Sequence, residues 1–271
     1  MTSSDNVARD PLLSDLVANH VAEAFRFWVS CFPGGVHTSA DGVEMLETGI
    51  SHPLGNVVLR CSLAGDAAVQ KAMEIRQHFQ EKGVIMSWFV QTHEELDKLP
   101  KVLTSAGFVV AGTAPAMLAS LRGLPEDPVI KPGVEVREVL TGADLDSWIQ
   151  TLQAVFQFSD ELKPLFLGPC LKNGMGPDQQ FRCFLASADG IAVGVSAIFR
   201  HQSEGGIFCV GTLPEVRGQG IGAVVTYAAM KAAADMGLER IVLQSSPLGE
   251  SVYRKLGFQT VGNHERWSIK I

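Results

Sequence analysis

One stretch of the sequence reads Pro214-Glu215-Val216-Arg217-Gly218-Gln219-Gly220-Ile221-Gly222-Ala223. It lies between an apolar strand pattern over residues 207–213 and an amphipathic helix pattern over residues 221–236. Its three glycines remove side chains that would block a ligand, and they let the backbone turn several N–H groups in one direction. At a helix start, these donors and the helix dipole suit a phosphate. On the glycines alone, a plain tight turn is the favoured interpretation, and a phosphate-binding loop is the alternative.

The same glycines also permit a different interpretation. Gly218, Gly220 and Ala223 match the GxGxxG/A fingerprint of dinucleotide-binding folds. That fingerprint expects an acidic residue about 20 positions later, at the end of the next strand. Here the next strand pattern ends in Gln244-Ser245-Ser246, and only one short helix pattern follows it. A nicotinamide-dependent dehydrogenase is therefore the weaker alternative.

Working outward from the loop, the patterns predict a mixed α/β unit. We expect helices over residues 143–156, 221–236 and 250–256, and strands over residues 134–140, 181–187, 191–199, 207–213 and 241–244. The Ala188-Asp189-Gly190 turn indicates a hairpin. Residues 259–271 are expected to form a last pair of strands, and residues 157–177 an irregular segment rich in Phe.

A similar order of elements precedes the segment rich in Pro and Gly at residues 123–133. The patterns there predict helices over residues 11–32, 66–82 and 94–106, strands over residues 56–63 and 84–90, and closing strands over residues 109–121. We therefore expect a first domain over residues 1–126, a linker over residues 127–132 and a second domain over residues 133–271.

Composition excludes several classes of protein. The 271 residues are 46% hydrophobic and 19% charged with a net charge of −7, which is typical of a globular chain and disfavours a nucleic-acid partner. We find neither a secretory leader nor an apolar run of about 18 residues, so we expect a cytoplasmic protein without membrane contact. The five cysteines form no CxxC pair, which predicts reduced thiols and no metal site. The oligomeric state stays open.

Two motifs carry a resemblance to a known family. Residues 217–222 resemble the Q/R-x-x-G-x-G/A signature of the Gcn5-related N-acetyltransferase (GNAT) family, and Tyr253, Gly257 and Phe258 resemble its YxxxGF element. The resemblance covers residues 134–271 and includes the order of the elements. It implies a mixed α/β fold in which each half of the chain is a mixed, mostly antiparallel sheet flanked by helices.

In that family, the loop amides bind the pyrophosphate of coenzyme A, and the preceding strand pairs with the pantetheine arm. The resemblance implies acetyl-CoA as cosubstrate, with contacts at Val210, Gly211, Thr212, Arg217, Gly218, Gln219, Gly220, Ile221, Gly222 and Ala223. The family often has an Asn seven residues before its Tyr, where this chain has Ser246. A serine hydroxyl can still donate and accept a hydrogen bond, but it has a shorter reach than the Asn side chain.

The resemblance also implies a catalytic residue. The family counterpart of Tyr253 protonates the thiolate of coenzyme A as it departs, and a phenol with a pKa near 10 suits that role. The alternative is a Tyr that only packs its ring beside Phe258.

The first half resembles the family more faintly, through Ala106-Gly107-Phe108. Its strand-to-helix turn reads Leu63-Ala64-Gly65-Asp66, with no clustered glycines and an acidic residue where phosphate would lie. Leu103 stands where the motif has its Tyr. The chain therefore resembles a tandem GNAT protein whose N-terminal half has lost its coenzyme A loop.

These observations predict an N-acetyltransferase that moves an acetyl group directly from acetyl-CoA to the amine of an unidentified small molecule. A non-catalytic acyl-CoA-binding sensor or scaffold is the alternative. The general base stays open among six residues: Asp160, His201, Glu204, Glu215, His264 and Glu265. The acceptor would meet an apolar wall with Asp160 and Glu161 available for a cation, or else the wall residues only pack inside the protein; the wall consists of Phe156, Phe158, Leu165, Phe166 and Leu167. Whether the acyl group is acetyl or longer is also open.

Overall fold

The computed structural model describes residues 10–269, so the ends of the predicted domains, residues 1–9 and 270–271, lie outside it. The chain divides into two compact units. Unit 1 comprises the chain up to Ala116 together with the chain from Thr260, and unit 2 comprises Met117–Gln259. The domain bounds expected from the sequence, with a linker over residues 127–132, stay a prediction.

Unit 1 alternates helices and strands much as the sequence predicts. Its elements are α1 (Pro11–Cys31), β1 (Val36–Ala40), β2 (Val43–Glu47), β3 (Asn56–Cys61), α2 (Gly65–Lys82), β4 (Ser87–Val90), α3 (His93–Ser105) and β5 (Phe108–Ser120), whose last residues belong to unit 2. Local chemistry sets several ends: the Asp10 side chain accepts the Leu12 and Leu13 N–H groups, and Gly83 ends α2 at a φ of 66°.

Unit 2 follows the order expected around the glycine loop. Its elements are β6 (Val134–Glu138), α4 (Gly142–Phe156), a 3-10 turn (Asp160–Leu162), α5 (Lys163–Asn173), β7 (Phe181–Ala188), β8 (Ile191–His201), β9 (Glu204–Thr212), a second 3-10 turn (Pro214–Val216), α6 (Ile221–Asp235), β10 (Arg240–Gln244), α7 (Glu250–Lys255) and β11 (Gln259–Ile269), which continues into unit 1.

The same pairing pattern occurs in each unit. In unit 1, β1, β2 and β3 pair antiparallel, β3 and β4 pair parallel, and β4 pairs antiparallel with β11. In unit 2, β6, β7, β8 and β9 pair antiparallel in chain order, and β9 pairs parallel with β10. The expectation of a mixed, mostly antiparallel sheet flanked by helices in each half is therefore confirmed.

Three expectations about elements are wrong. Residues 259–269 form one strand and not a pair, because Gly262 does not make a turn: a β-carbon there would lie 2.2 Å from Ser14 Oγ. Residues 108–120 likewise form one strand, β5, and not several closing strands. The hairpin of β1 and β2 is an additional element without a prediction from the sequence, although Asp41 and Gly42 adopt the positive φ that such a turn needs. The third concerns α5.

Helix α5 lies inside the segment expected to be irregular. Pro164 lies in the first turn of α5, where a proline is tolerated, whereas Pro169 lies inside the helix and removes a backbone donor. Leu165, Phe166 and Cys170 are nevertheless buried, and their packing stabilises the helix. Among residues 10–269, no helix is long and apolar enough to cross a lipid bilayer.

Candidate active site

Two parallel strands of unit 2 separate beside the glycine loop. The pairing of β9 with β10 runs from Glu204 and Arg240 to Gly206 and Val242, whereas β9 itself continues to Thr212 against β8. The register between β8 and β9 shifts next to Ser196, and Cys209 adopts a φ of 56° there, so β9 carries a bulge. The bulge bends the strand, and the end of β9 is left facing a cavity.

The loop after β9 forms an exposed helix N-terminus. Gly218 and Gly220 have φ values of 75° and 85°, a backbone region that side chains disfavour. Gly220 is the residue before α6, and no side chain caps the first turn of that helix. The first N–H groups of a helix have no partner within it, so they remain available to a ligand. The exposed Arg217 is held over the loop by its Nε, which donates to Thr212 O at 3.3 Å.

A cavity of about 860 Å³ lies against this loop, near the upper end of the range for ligand sites. It brings together eleven of the twelve residues expected from the sequence: Val210, Gly211, Thr212, Arg217, Gly218, Gly220, Ile221, Gly222, Ala223, Ser246 and Tyr253. Gln219 does not line the cavity. Its Oε1 instead accepts from Lys131 Nζ at 3.5 Å.

Tyr253 on α7 lines the cavity with only 8% of its surface exposed. Its ring packs edge-on against Phe258, with the centroids 5.9 Å apart. Burial raises the pKa of the phenol to about 12, so it stays protonated at neutral pH. Among residues 10–269 its hydroxyl has no hydrogen-bond partner. Tyr253 thus packs its ring against Phe258, as the packing alternative expects, and it also presents a hydroxyl donor that is available to a ligand.

Ser246 lies in the turn between β10 and α7. Its Oγ accepts the Gly249 N–H at 3.2 Å, and its carbonyl accepts the Gly249 and Glu250 N–H groups. The hydroxyl therefore helps to fix the turn before α7. Its proton remains available to a ligand, because the bond uses only an acceptor position.

Several lining residues were not expected from the sequence. Val155 and Phe156, at the end of α4, approach Gly211 so closely that a β-carbon there would lie 2.7 Å from Val155 Cγ1. Lys255 occupies a variable position inside the YxxxGF element, and Glu126 comes from the proline-rich segment. Lys255 could have been found from the sequence, because it lies inside the YxxxGF element. The approach of α4 to β9 depends on tertiary packing and has no local signal.

None of the six candidate bases is among the residues that line the cavity. Asp160 pairs with Lys163, and Glu204 pairs with Arg240. His264 is buried in unit 1, and its pKa is lowered to about 4 because burial disfavours the imidazolium. The expected acceptor wall is also corrected, since Phe158, Leu165 and Phe166 are buried and only Phe156 of the wall lines the cavity.

In unit 1, a glutamate side chain lies between the ends of the strands that correspond to β9 and β10. After the paired residues Val58 and Trp88, the ends of β3 and β4 are bridged by Glu95, which is 6% exposed. One carboxylate oxygen accepts the Cys61 N–H at 3.2 Å, and the other accepts the N–H groups of Gln91 and Thr92. In unit 2, the ends of the equivalent strands border the cavity. Among residues 10–269 there is no cluster of His, Cys, Asp and Glu that could hold a metal ion.

Comparison with known proteins agrees with this geometry. Residues 153–267 match the model of an acetyltransferase (GNAT) domain family. A mycothiol acetyltransferase of Pseudarthrobacter chlorophenolicus is 28% identical over 159 residues, which cover 55% of this chain and 47% of that protein. The chain thus spans about half the length of the curated relatives it matches.

Solved structures extend the likeness to nearly the whole chain. A Gcn5-related N-acetyltransferase from Kribbella flavida has a TM-score of 0.71 at 17% identity and covers 94% of this chain and 96% of its own. A tandem GNAT protein from the clavulanic acid biosynthesis pathway has a TM-score of 0.60 at 11% identity and covers 99% and 96%. Residues 153–267 are thus similar to an acetyltransferase domain of the GNAT family, and the chain as a whole has the fold of the tandem GNAT proteins.

Proposed function

We propose that this chain is an N-acetyltransferase that moves an acetyl group directly from acetyl-CoA to the amine of a small molecule. One observation carries the proposal: the uncapped N-terminus of α6 and the free hydroxyl of Tyr253 open into the same cavity. GNAT acetyltransferases use acetyl-CoA. A cavity with a helix N-terminus and a separate hydroxyl donor suits a long ligand that carries phosphates at one end and a reacting sulfur at the other.

The loop residues bind the phosphates in this proposal. The N–H groups of Ile221 and Gly222 lie in the first turn of α6, where a helix has donors without internal partners. Arg217 and Lys255 add positive charge to the cavity lining. The positive φ values of Gly218 and Gly220 set the direction of the loop backbone, so we propose that these two positions require glycine.

The end of β9 binds the extended arm of the cofactor. Beyond Gly206, β9 no longer pairs with β10, and Val210, Gly211 and Thr212 line the cavity. Backbone groups at a strand edge pair readily with amides of an extended ligand. The close packing of Gly211 under Val155 keeps this part of the strand in place.

Tyr253 donates a hydrogen bond to the sulfur as it leaves. A phenol with a pKa near 12 lies about 3.5 units above an ordinary thiol, so complete proton transfer costs about 5 kcal/mol. A hydrogen bond to a charged acceptor has no such cost and is among the stronger ones in proteins. We therefore assign Tyr253 the role of a donor that stabilises the departing thiolate.

The acceptor must react as a neutral amine, and only about one part in 10³ of an alkylamine is neutral at pH 7. Among residues 10–269, Glu126 is the one carboxylate that lines the cavity, and we leave the general base unassigned. Because the curated relatives are named mycothiol acetyltransferases, amines related to mycothiol belong at the head of any acceptor panel.

The alternative is a sensor or scaffold that binds acyl-CoA without turnover. The filled cleft of unit 1, where Glu95 bridges the strand ends, supports the proposal that this half binds no coenzyme A. A thermal-shift screen with acetyl-CoA, NAD and ATP, followed by acetyl-CoA with the amine panel and detection of free thiol, separates the candidates. Stabilisation by acetyl-CoA with thiol release supports the transferase, stabilisation alone supports the sensor, and stabilisation by NAD alone supports the dehydrogenase.

A cytoplasmic location and the absence of nucleic-acid and membrane partners stay predictions from composition and charge. The oligomeric state and the length of the acyl group are not assigned.

A further inference from the structure

Gly249, the residue before α7, lacks a side chain for a different reason from the loop glycines. Its φ of −84° and ψ of −25° suit any residue, whereas Gly218 and Gly220 have positive φ. A β-carbon on Gly249 would lie 2.7 Å from Cε2 and 3.3 Å from Cζ of Tyr253. Carbon atoms in contact are normally about 3.5–4.0 Å apart. Space for the Tyr253 ring, and not backbone freedom, therefore requires glycine at this position.

Hydrogen bonds hold the backbone of Gly249 in place. The Gly249 N–H donates to Ser246 O at 3.0 Å, and the Gly249 carbonyl accepts the N–H groups of Val252 and Tyr253. Phe258, which is 2% exposed, packs edge-on against the Tyr253 ring. A side chain at Gly249 must therefore tilt the ring and move the hydroxyl at its end.

We propose that Gly249 is a positioning residue for Tyr253, and that its bare α-carbon is the surface that fixes the phenol hydroxyl in the cavity. The inference rests on the proposed function, because it assigns the hydroxyl to the departing sulfur. It adds a residue outside both sequence motifs, which lines the same cavity and acts through the tyrosine ring that it contacts.

The test is a double-mutant cycle on the full chain. We expect Gly249→Ala to lower kcat by roughly 10- to 100-fold, the size of effect that a misplacement of about 1 Å can have. KM for acetyl-CoA should change by less than about twofold. In the Tyr253→Phe background, Gly249→Ala should lower kcat no further, because no hydroxyl remains to be misplaced. An equal loss of kcat in both backgrounds would overturn the proposal.

Gly142→Ala is the matched control. Gly142 also lies at the start of a helix, and no atom lies within 4 Å of the place where its β-carbon would be. We expect this variant to have the kcat of the wild type. If Gly249→Ala folds poorly, Gly249→Ser adds the same β-carbon with a hydroxyl that can cap the first turn of α7.

A spectroscopic readout separates this inference from the proposed function. The chain has two tyrosines, so 3-fluorotyrosine labelling gives two fluorine resonances, which Tyr227→Phe assigns. Gly249→Ala should shift the Tyr253 resonance and leave that of Tyr227 in place. An unmoved Tyr253 resonance refutes the ring contact itself. A moved resonance with unchanged kcat in both Gly249→Ala and Tyr253→Phe refutes the catalytic role and with it the positioning role.

Discussion

The substitution Tyr253→Phe removes one oxygen atom and keeps the ring that packs against Phe258. The lost group is a donor with no hydrogen-bond partner among residues 10–269. A hydrogen bond to a charged acceptor is worth about 1.5–3 kcal/mol, which corresponds to roughly 10- to 150-fold in rate. We therefore expect kcat to fall by about 10²-fold, with the affinity for acetyl-CoA nearly unchanged.

The stability of this variant makes the prediction sharper. The hydroxyl faces the cavity and has no hydrogen-bond partner among residues 10–269, so its removal breaks no bond and should leave the free energy of unfolding nearly unchanged. A variant that loses activity while it keeps or gains stability has lost a functional group and not a structural one.

Three measurements decide the outcome for Tyr253. Steady-state release of thiol gives kcat, calorimetric titration gives the affinity for acetyl-CoA, and urea denaturation gives the free energy of unfolding. Unchanged kcat, measured where chemistry limits the rate, would refute the role of the hydroxyl. A large loss of stability would show instead that the hydroxyl has a structural partner.

Three further predictions address the loop, the pH dependence and unit 1. Gly220→Val should abolish the stabilisation by acetyl-CoA, about 2.7 kcal/mol for the wild type at 100 times the dissociation constant, because a β-branched residue is strained at a φ of 85°. The control Gly237→Val imposes similar backbone strain at the other end of α6, at a φ of 76°, and should keep the stabilisation by acetyl-CoA. Loss of this stabilisation in both variants would contradict the assignment of the loop as the binding site. kcat/KM should not fall between pH 7 and about 10.5, because the donor is the protonated phenol of Tyr253 and burial raises its pKa to about 12. A decline of kcat/KM centred near pH 10 would contradict this prediction. Glu95→Ala should lower the free energy of unfolding in urea by about 3 kcal/mol, because three backbone N–H groups lose their acceptor, and a stability equal to that of the wild type would show that the bridge contributes nothing.

Local signals explain what the sequence could predict. The glycines at 218 and 220 adopt the positive φ that their spacing suggests, and Gly83 ends α2 as expected. These conformations depend on the residue itself, so they can be read from the chain alone. Helix α5 was not predicted, and there the burial of Leu165 and Phe166 outweighs the local cost of Pro169 inside the helix.

Other features depend on contacts between residues distant in sequence. Thr92 and Glu95 form a capping box that the sequence displays, but nothing local indicates that the same carboxylate reaches Cys61. Gly262 looks like a turn residue, yet it is required by the approach of Ser14. Gly249 likewise gains its meaning only from the ring of a residue on the next turn of helix.

The central claim is that the second half of this chain binds acetyl-CoA at its glycine loop and that the first half does not. Calorimetric titration of the full chain with acetyl-CoA tests it most directly. We expect saturable binding of one acetyl-CoA per chain, because α6 starts with an uncapped N-terminus beside a cavity while Glu95 bridges the ends of the equivalent strands of unit 1. Two equivalent sites, or no binding, would contradict it.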